Sequence, residues 1–124
     1  MVQLFDREYT REEFQQYFGS MEQVGGIRRY QYTEGRAKNL EAMELRTGSG
    51  LRFEVLPDRG MDLGLCEYRG VPLTFRSALG EATPYFFEPE GDEWLRNYLG
   101  GMLTTCGLTY LGAPCEDRGE KLGL

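Results

Sequence analysis

Asp58, Arg59 and Asp62 are crowded into one turn between two runs of alternating apolar residues, and their side chains are the first in this chain with the means to do chemistry together. Carboxylates accept hydrogen bonds, and a guanidinium donates them in a fixed fork. At one end of a pleated sheet such groups can hold a polyhydroxylated ligand. The same charges also suit a solvated hairpin tip. A second polar stretch, Met102 to Gly112, sets Thr104, Thr105 and Thr109 among Gly107, Gly112 and the preceding pair Gly100-Gly101. The glycines let a ligand or another backbone approach closely, and hydroxyl donors around such a surface suit sugar recognition. A threonine-rich strand of a barrel or sandwich accounts for the stretch equally well.

The elements that position these groups read as strands. Leu51, Phe53 and Val55 alternate with Arg52 and Glu54, which predicts one buried face and one wet face. Pro57 and Gly60 suit a turn, after which Met61, Leu63 and Leu65 restart the alternation. Ile27 to Thr33 and Leu40 to Arg46 are the preceding strands, separated by Glu34-Gly35-Arg36, and Thr47-Gly48-Ser49-Gly50 is a further turn. Glu67 to Val71 reverses the chain again and Pro72 to Phe75 stays extended, so residues 27–76 are expected to form an antiparallel meander. Thr10-Arg11-Glu12-Glu13 is a capping box opening a short helix with Phe14, Tyr17 and Phe18 on one face and Gly19 as its stop. Pro84 and Pro89 mark a surface loop over residues 81–91. Asp92 can then cap a second short helix, Glu93 to Leu99, with Trp94, Leu95, Tyr98 and Leu99 turned inward.

With 124 residues, 40% of them hydrophobic, and 17 glycines, the expected fold class is mainly β, many short strands with two short helices. The net charge of -6 argues against a nucleic-acid partner, and Arg28-Arg29 is the sole adjacent basic pair. Histidine is absent, which removes the usual proton shuttle at neutral pH. Cys66, Cys106 and Cys115 have no metal-ligand spacing and read as free thiols of a reducing compartment. The carboxylates of residues 81–92 lack calcium-loop spacing, so a solvated loop is expected there, and no cofactor is expected anywhere. The first ten residues carry Asp6, Arg7 and Glu8 where a signal peptide needs an apolar core, and no run is long enough to span a membrane. A cytoplasmic protein is expected.

Three pieces, Gly19-Ser20-Met21-Glu22-Gln23-Val24-Gly25-Gly26, Leu56-Pro57-Asp58-Arg59-Gly60-Met61-Asp62 and Gly100-Gly101-Met102-Leu103-Thr104-Thr105-Cys106-Gly107-Leu108, resemble the N-terminal part of the aldose 1-epimerase (galactose mutarotase-like) proteins, in the DUF4432 branch. The resemblance implies an antiparallel β-sandwich, a supersandwich, of which residues 1–124 form a single partial domain and residues 1–19 a short N-terminal helix region. It implies a small-molecule sugar as partner and interconversion of sugar anomers in the full-length protein. The resemblance implies a Leu-His-Gly motif close to Leu122-Gly123-Leu124, with the acid histidine and base glutamate later still; none of those positions is present, so no catalytic residue is carried over to this chain. The arginine-containing segment of ordinary galactose mutarotases is also absent, since the comparable region reads Leu103-Thr104-Thr105-Cys106-Gly107. Arg59 and Arg76 are alternative cations, and either also fits a structural pair with a neighbouring carboxylate. The candidate substrate-binding groups are therefore Arg59, Asp62, Arg76, Thr104 and Thr105. The alternatives are a non-catalytic sugar-binding or regulatory module and an inactive truncated fragment. Unpaired strand edges predict a homo-oligomer.

Overall fold

Five consecutive strands, Gly26–Gln31 (β3), Glu41–Arg46 (β4), Leu51–Leu56 (β5), Asp62–Tyr68 (β6) and Val71–Pro72 (β7), pair in sequence order as an antiparallel meander. They belong to a computed structural model that describes residues 2–4, 6–88, 90–104 and 115–122. Two strands precede the meander, Val2–Leu4 (β1) and Arg7–Tyr9 (β2), which form a hairpin. Phe75–Arg76 (β8) leaves the meander to pair with Gly100–Gly101 (β9), and Cys115–Asp117 (β10) pairs with Glu120–Leu122 (β11). The chain is mainly β, with antiparallel pairing throughout the described residues. No helix among these residues is long and apolar enough to cross a membrane.

Local chemistry accounts for the joints. Thr10 opens the one α-helix, Arg11–Tyr17 (α1): its hydroxyl accepts from the Glu13 amide at 3.2 Å, while the Glu13 carboxylate accepts from the Thr10 amide at 2.9 Å. The helix ends at Phe18 in an extended conformation, one residue before the glycine expected to stop it. Phe14 is its buried residue, and Tyr17 meets Tyr9 of the hairpin edge-on, so the helix packs on the β1–β2 hairpin. Pro57–Arg59 forms a short 3-10 turn closed by Gly60 at φ 63. Glu93–Asn97 is also 3-10 rather than an α-helix, and the Asp92 side chain makes no capping bond to it. Leu95 is exposed there, whereas Leu99 is buried.

The face expected to be wet is partly the core. Leu40, Ala42, Leu56 and Leu99 form the central cluster, with Tyr32 packed against it, and Glu54 is only 4% exposed. On β6 the buried positions are Asp62, Gly64 and Cys66, while Met61 and Leu65 are exposed. Two physical causes reverse the expected parity. A segment far along the chain returns to lay Leu99 over the face bearing Leu56, and Ala82 of the same segment is fully buried. The β5–β6 register also shifts between Phe53 and Val55, which changes the side of the sheet on which later β6 residues stand. The other face bears Met43, Leu45, Phe53 and Leu63, half-buried beside buried Val55.

Candidate functional site

The turn after β5 and the returning segment 81–99 enclose a cleft of about 220 Å³, lined by Asp58, Arg59, Asp62, Pro84, Phe87, Trp94, Asn97, Tyr98 and Thr104. Arg59 fastens the two sides together. Its Nε donates to Asp62 Oδ2 at 2.9 Å, its Nη1 to the Ala82 carbonyl at 2.8 Å and its Nη2 to the Asn97 carbonyl at 2.9 Å. Asp62 is fully buried, so this guanidinium supplies the charge that a buried carboxylate requires. Arg36 clamps the same segment from outside. It donates to the Arg96 carbonyl from both Nη atoms at 3.2 Å and to Asn97 Oδ1 at 2.7 Å, and it lies over the Phe86 ring.

Held this way, the segment presents aromatic side chains to the acidic turn. Trp94 and Tyr98 meet edge-to-face with ring centroids 5.9 Å apart. Asp58 is exposed at the cleft, its Oδ2 accepting from the Glu41 amide at 2.9 Å. The arrangement combines flat apolar faces with carboxylate acceptors, chemistry that suits the C–H face and the hydroxyl rim of a ring bearing several hydroxyl groups.

The candidate residues have different fates. Arg59, Asp62 and Thr104 come together in this cleft. Arg59 acts there as the fastener of its walls. The Thr104 hydroxyl donates to the Gly100 carbonyl at 2.8 Å. Arg76 stands apart, donating from Nη2 to the buried carboxylate of Glu81. Thr105, Cys106 and the rest of the expected strand through Gly112 lie outside the described residues. Gly101 serves the close approach of another backbone: at φ +86, a Cβ there would run into the Leu63 carbonyl oxygen, and Leu63 pairs with Leu103. Phe87 and Pro84 were not among the sequence candidates. The aromatic run Tyr85-Phe86-Phe87 after Pro84 is the signal that points to them.

A second polar cluster sits farther along β5. The hydroxyls of Tyr30 and Tyr32 both donate to Glu54 Oε1, the latter at 2.6 Å. Burial, then the bond to Glu54, raises the pKa of both phenols. Both therefore stay protonated donors at neutral pH. Among the described residues no group of His, Cys, Asp and Glu is arranged to hold a metal ion. Cys66 is a free, buried thiol, and Cys115 is exposed on β10.

Residues 37–124, most of the chain and all of the cleft's lining residues, match the family described as Domain of unknown function (DUF4432). The chain belongs to the DUF4432 family. No curated protein and no solved structure matches it. Within the DUF4432 match lie the strands from β4 onward, the Arg59 fastener and the aromatic segment, while β1, β2, α1 and β3 precede it.

Proposed function

We propose that the cleft between the Pro57–Arg59 turn and the segment 81–99 binds a small-molecule sugar, and that this chain is the carbohydrate-binding part of an aldose 1-epimerase-like protein that interconverts sugar anomers. One observation carries the reading: Phe87, Trp94 and Tyr98 line the same cleft as Asp58, Asp62 and Thr104. Aromatic rings pack against the apolar face of a pyranose while carboxylates accept hydrogen bonds from its hydroxyls. Anomer exchange needs a base at the anomeric hydroxyl and an acid at the ring oxygen. Asp62 is committed to Arg59, so the cleft contributes binding and orientation rather than that proton pair. A sugar-binding module without catalysis is the second reading, favoured by the absence of histidine. In the first reading the meander is the opening part of an antiparallel β-supersandwich, with a second layer on the half-buried face of Met43, Leu45, Phe53 and Leu63.

Trp94 is the only tryptophan, so its fluorescence reports directly on the cleft. Titration with neutral monosaccharides is expected to give a saturable change that Asp58→Asn weakens about ten-fold, roughly 1.4 kcal/mol. No saturable change with any aldose or ketose overturns the sugar reading. In polarimetry the chain alone is expected to leave the rate of mutarotation at its uncatalysed value; acceleration that is lost in Asp58→Asn would assign the proton transfer to this cleft instead.

A further inference from the structure

At the opposite end of the meander the fold gathers cations that are scattered in the sequence. Arg46 closes β4, Arg52 is the second residue of β5 and Arg69 occupies the turn between β6 and β7. All three line one cavity of about 590 Å³, together with Gly48, Ser49 and Gly50 of the β4–β5 turn and with Gln23 and Asp6. Charges on this lining total three positive and one negative, in a chain whose net charge is -6. The register sets Arg46 directly opposite Arg52. Like charges facing each other across a strand pair are unfavourable, and a sheet keeps such a pair only where something anionic offsets it.

Within the chain that offset is partial. Glu44 serves both arginines, accepting from Arg52 Nε at 2.7 Å and lying 3.6 Å from Arg46 Nε. The longer separation is not a hydrogen bond, and Arg46 Nε is buried with no acceptor among the described residues. Arg46 Nη2 meets only a neutral acceptor, the Glu22 carbonyl at 2.6 Å. Arg52 also reaches Glu67, at 3.5 Å. The partner of Arg69 is Asp6, at 2.9 Å, and both side chains are largely exposed, so a competing anion can replace that carboxylate at small cost. The turn adds backbone donors. Gly48 and Gly50 have φ +77 and +105, and the amides of Gly48, Ser49 and Gly50 meet no acceptor among the described residues. Adjacent unpartnered amides in a tight turn form a concavity suited to an anion, and guanidinium groups supply the bidentate contacts that phosphate and sulfate oxygens accept.

We infer that this cavity is an anion site for a phosphate or sulfate ester group carried on a small molecule, with Arg46, Arg52 and Arg69 as its charge partners and the Gly48-Ser49-Gly50 amides as its cradle. The site is separate from the sugar cleft and does not depend on that reading. The Asp58 turn and the Thr47–Gly50 turn lie at opposite ends of β5, so the two sites share no lining residue. The volume admits a molecule of sugar-phosphate size.

Titration of the chain with inorganic phosphate at low ionic strength, followed by backbone amide NMR, tests the inference. Saturable shifts are expected at Gly48, Ser49 and Gly50. Arg69→Gln, which alters an exposed side chain, is expected to weaken binding about five- to ten-fold, and Arg52→Gln/Arg69→Gln to remove saturation. Arg28→Gln removes an equal charge elsewhere and is expected to change the affinity less than about two-fold. Glucose 6-phosphate and inorganic sulfate distinguish an ester ligand from general oxyanion binding: tighter binding of the ester supports the inference. Absence of saturable shifts in the turn overturns it, and so does equal weakening by Arg28→Gln and Arg69→Gln.

Discussion

Arg59 shows how one side chain can be legible as functional and still be built into the frame. Its three donors each reach a different segment: Asp62 at the start of β6, Ala82 before the aromatic loop and Asn97 at that loop's end. Arg59→Ala takes the guanidinium away from a buried carboxylate and frees two carbonyls, so a loss of about 3–5 kcal/mol is expected in denaturant unfolding. Arg59→Lys keeps the charge without the fork and should fall between it and the parent. Equal stability of Arg59→Ala and the parent would remove the fastener role. The tyrosine pair makes a second residue-scale prediction. A phenol with a raised folded-state pKa favours the native state below its ordinary value near 10 and loses that contribution as pH rises above it. Absorbance at alkaline pH should therefore show Tyr30 and Tyr32 ionising last among the eight tyrosines, together with unfolding. Tyr30→Phe/Tyr32→Phe removes this late phase but leaves Glu54 buried without donors, which lowers stability at neutral pH.

Among the elements, the joints were readable and the faces were not. The Thr10 box, the Pro57–Gly60 turn and the meander through Pro72 follow from signals only a few residues long, whereas the meander expected to run on to residue 76 stops short because Phe75–Arg76 pairs with the distant Gly100–Gly101. The burial of Glu54 and Asp62 depends instead on the distant segment 81–99 and on one register shift, neither of which leaves a local trace. The Arg46–Arg52–Arg69 cavity leaves no local trace for the same reason: its arginines are far apart along the chain, and pairing across strands makes the patch. The aromatic segment is the element whose position matters most for the cleft, and Arg36 holds it without lining the cleft. Arg36→Ala removes charge-assisted bonds worth about 1.5–3 kcal/mol. Limited proteolysis is expected to cut residues 84–97 faster in this variant and Trp94 emission to shift red, while far-ultraviolet circular dichroism keeps the strand signal. Unchanged cleavage would mean that Arg59 alone positions the segment.

For the whole molecule, the five-stranded sheet separates two kinds of surface, an acidic aromatic cleft at one end of β5 and a basic cavity at the other. It also leaves β3 as an outer strand with all six residues exposed, the geometry in which a second copy can add by edge pairing. Arg28 and Arg29 stand at the centre of that strand. Antiparallel self-pairing about the centre places Arg28 of one copy opposite Arg29 of the other, and like charges in that position oppose the contact. Glu41 pairs with Arg29 at 3.0 Å but both side chains remain well exposed, so the offset is small. These residues therefore act against edge association, and replacing them should release it. Arg28→Val/Arg29→Val is expected to raise the self-association constant about ten-fold, roughly 1.4 kcal/mol, in sedimentation equilibrium. High salt should raise association of the parent, by screening the same repulsion, and leave the variant nearly unchanged. If both proteins associate equally at low salt, any oligomer forms through another surface, and the half-buried face with Phe53 and Leu63 becomes the one to probe.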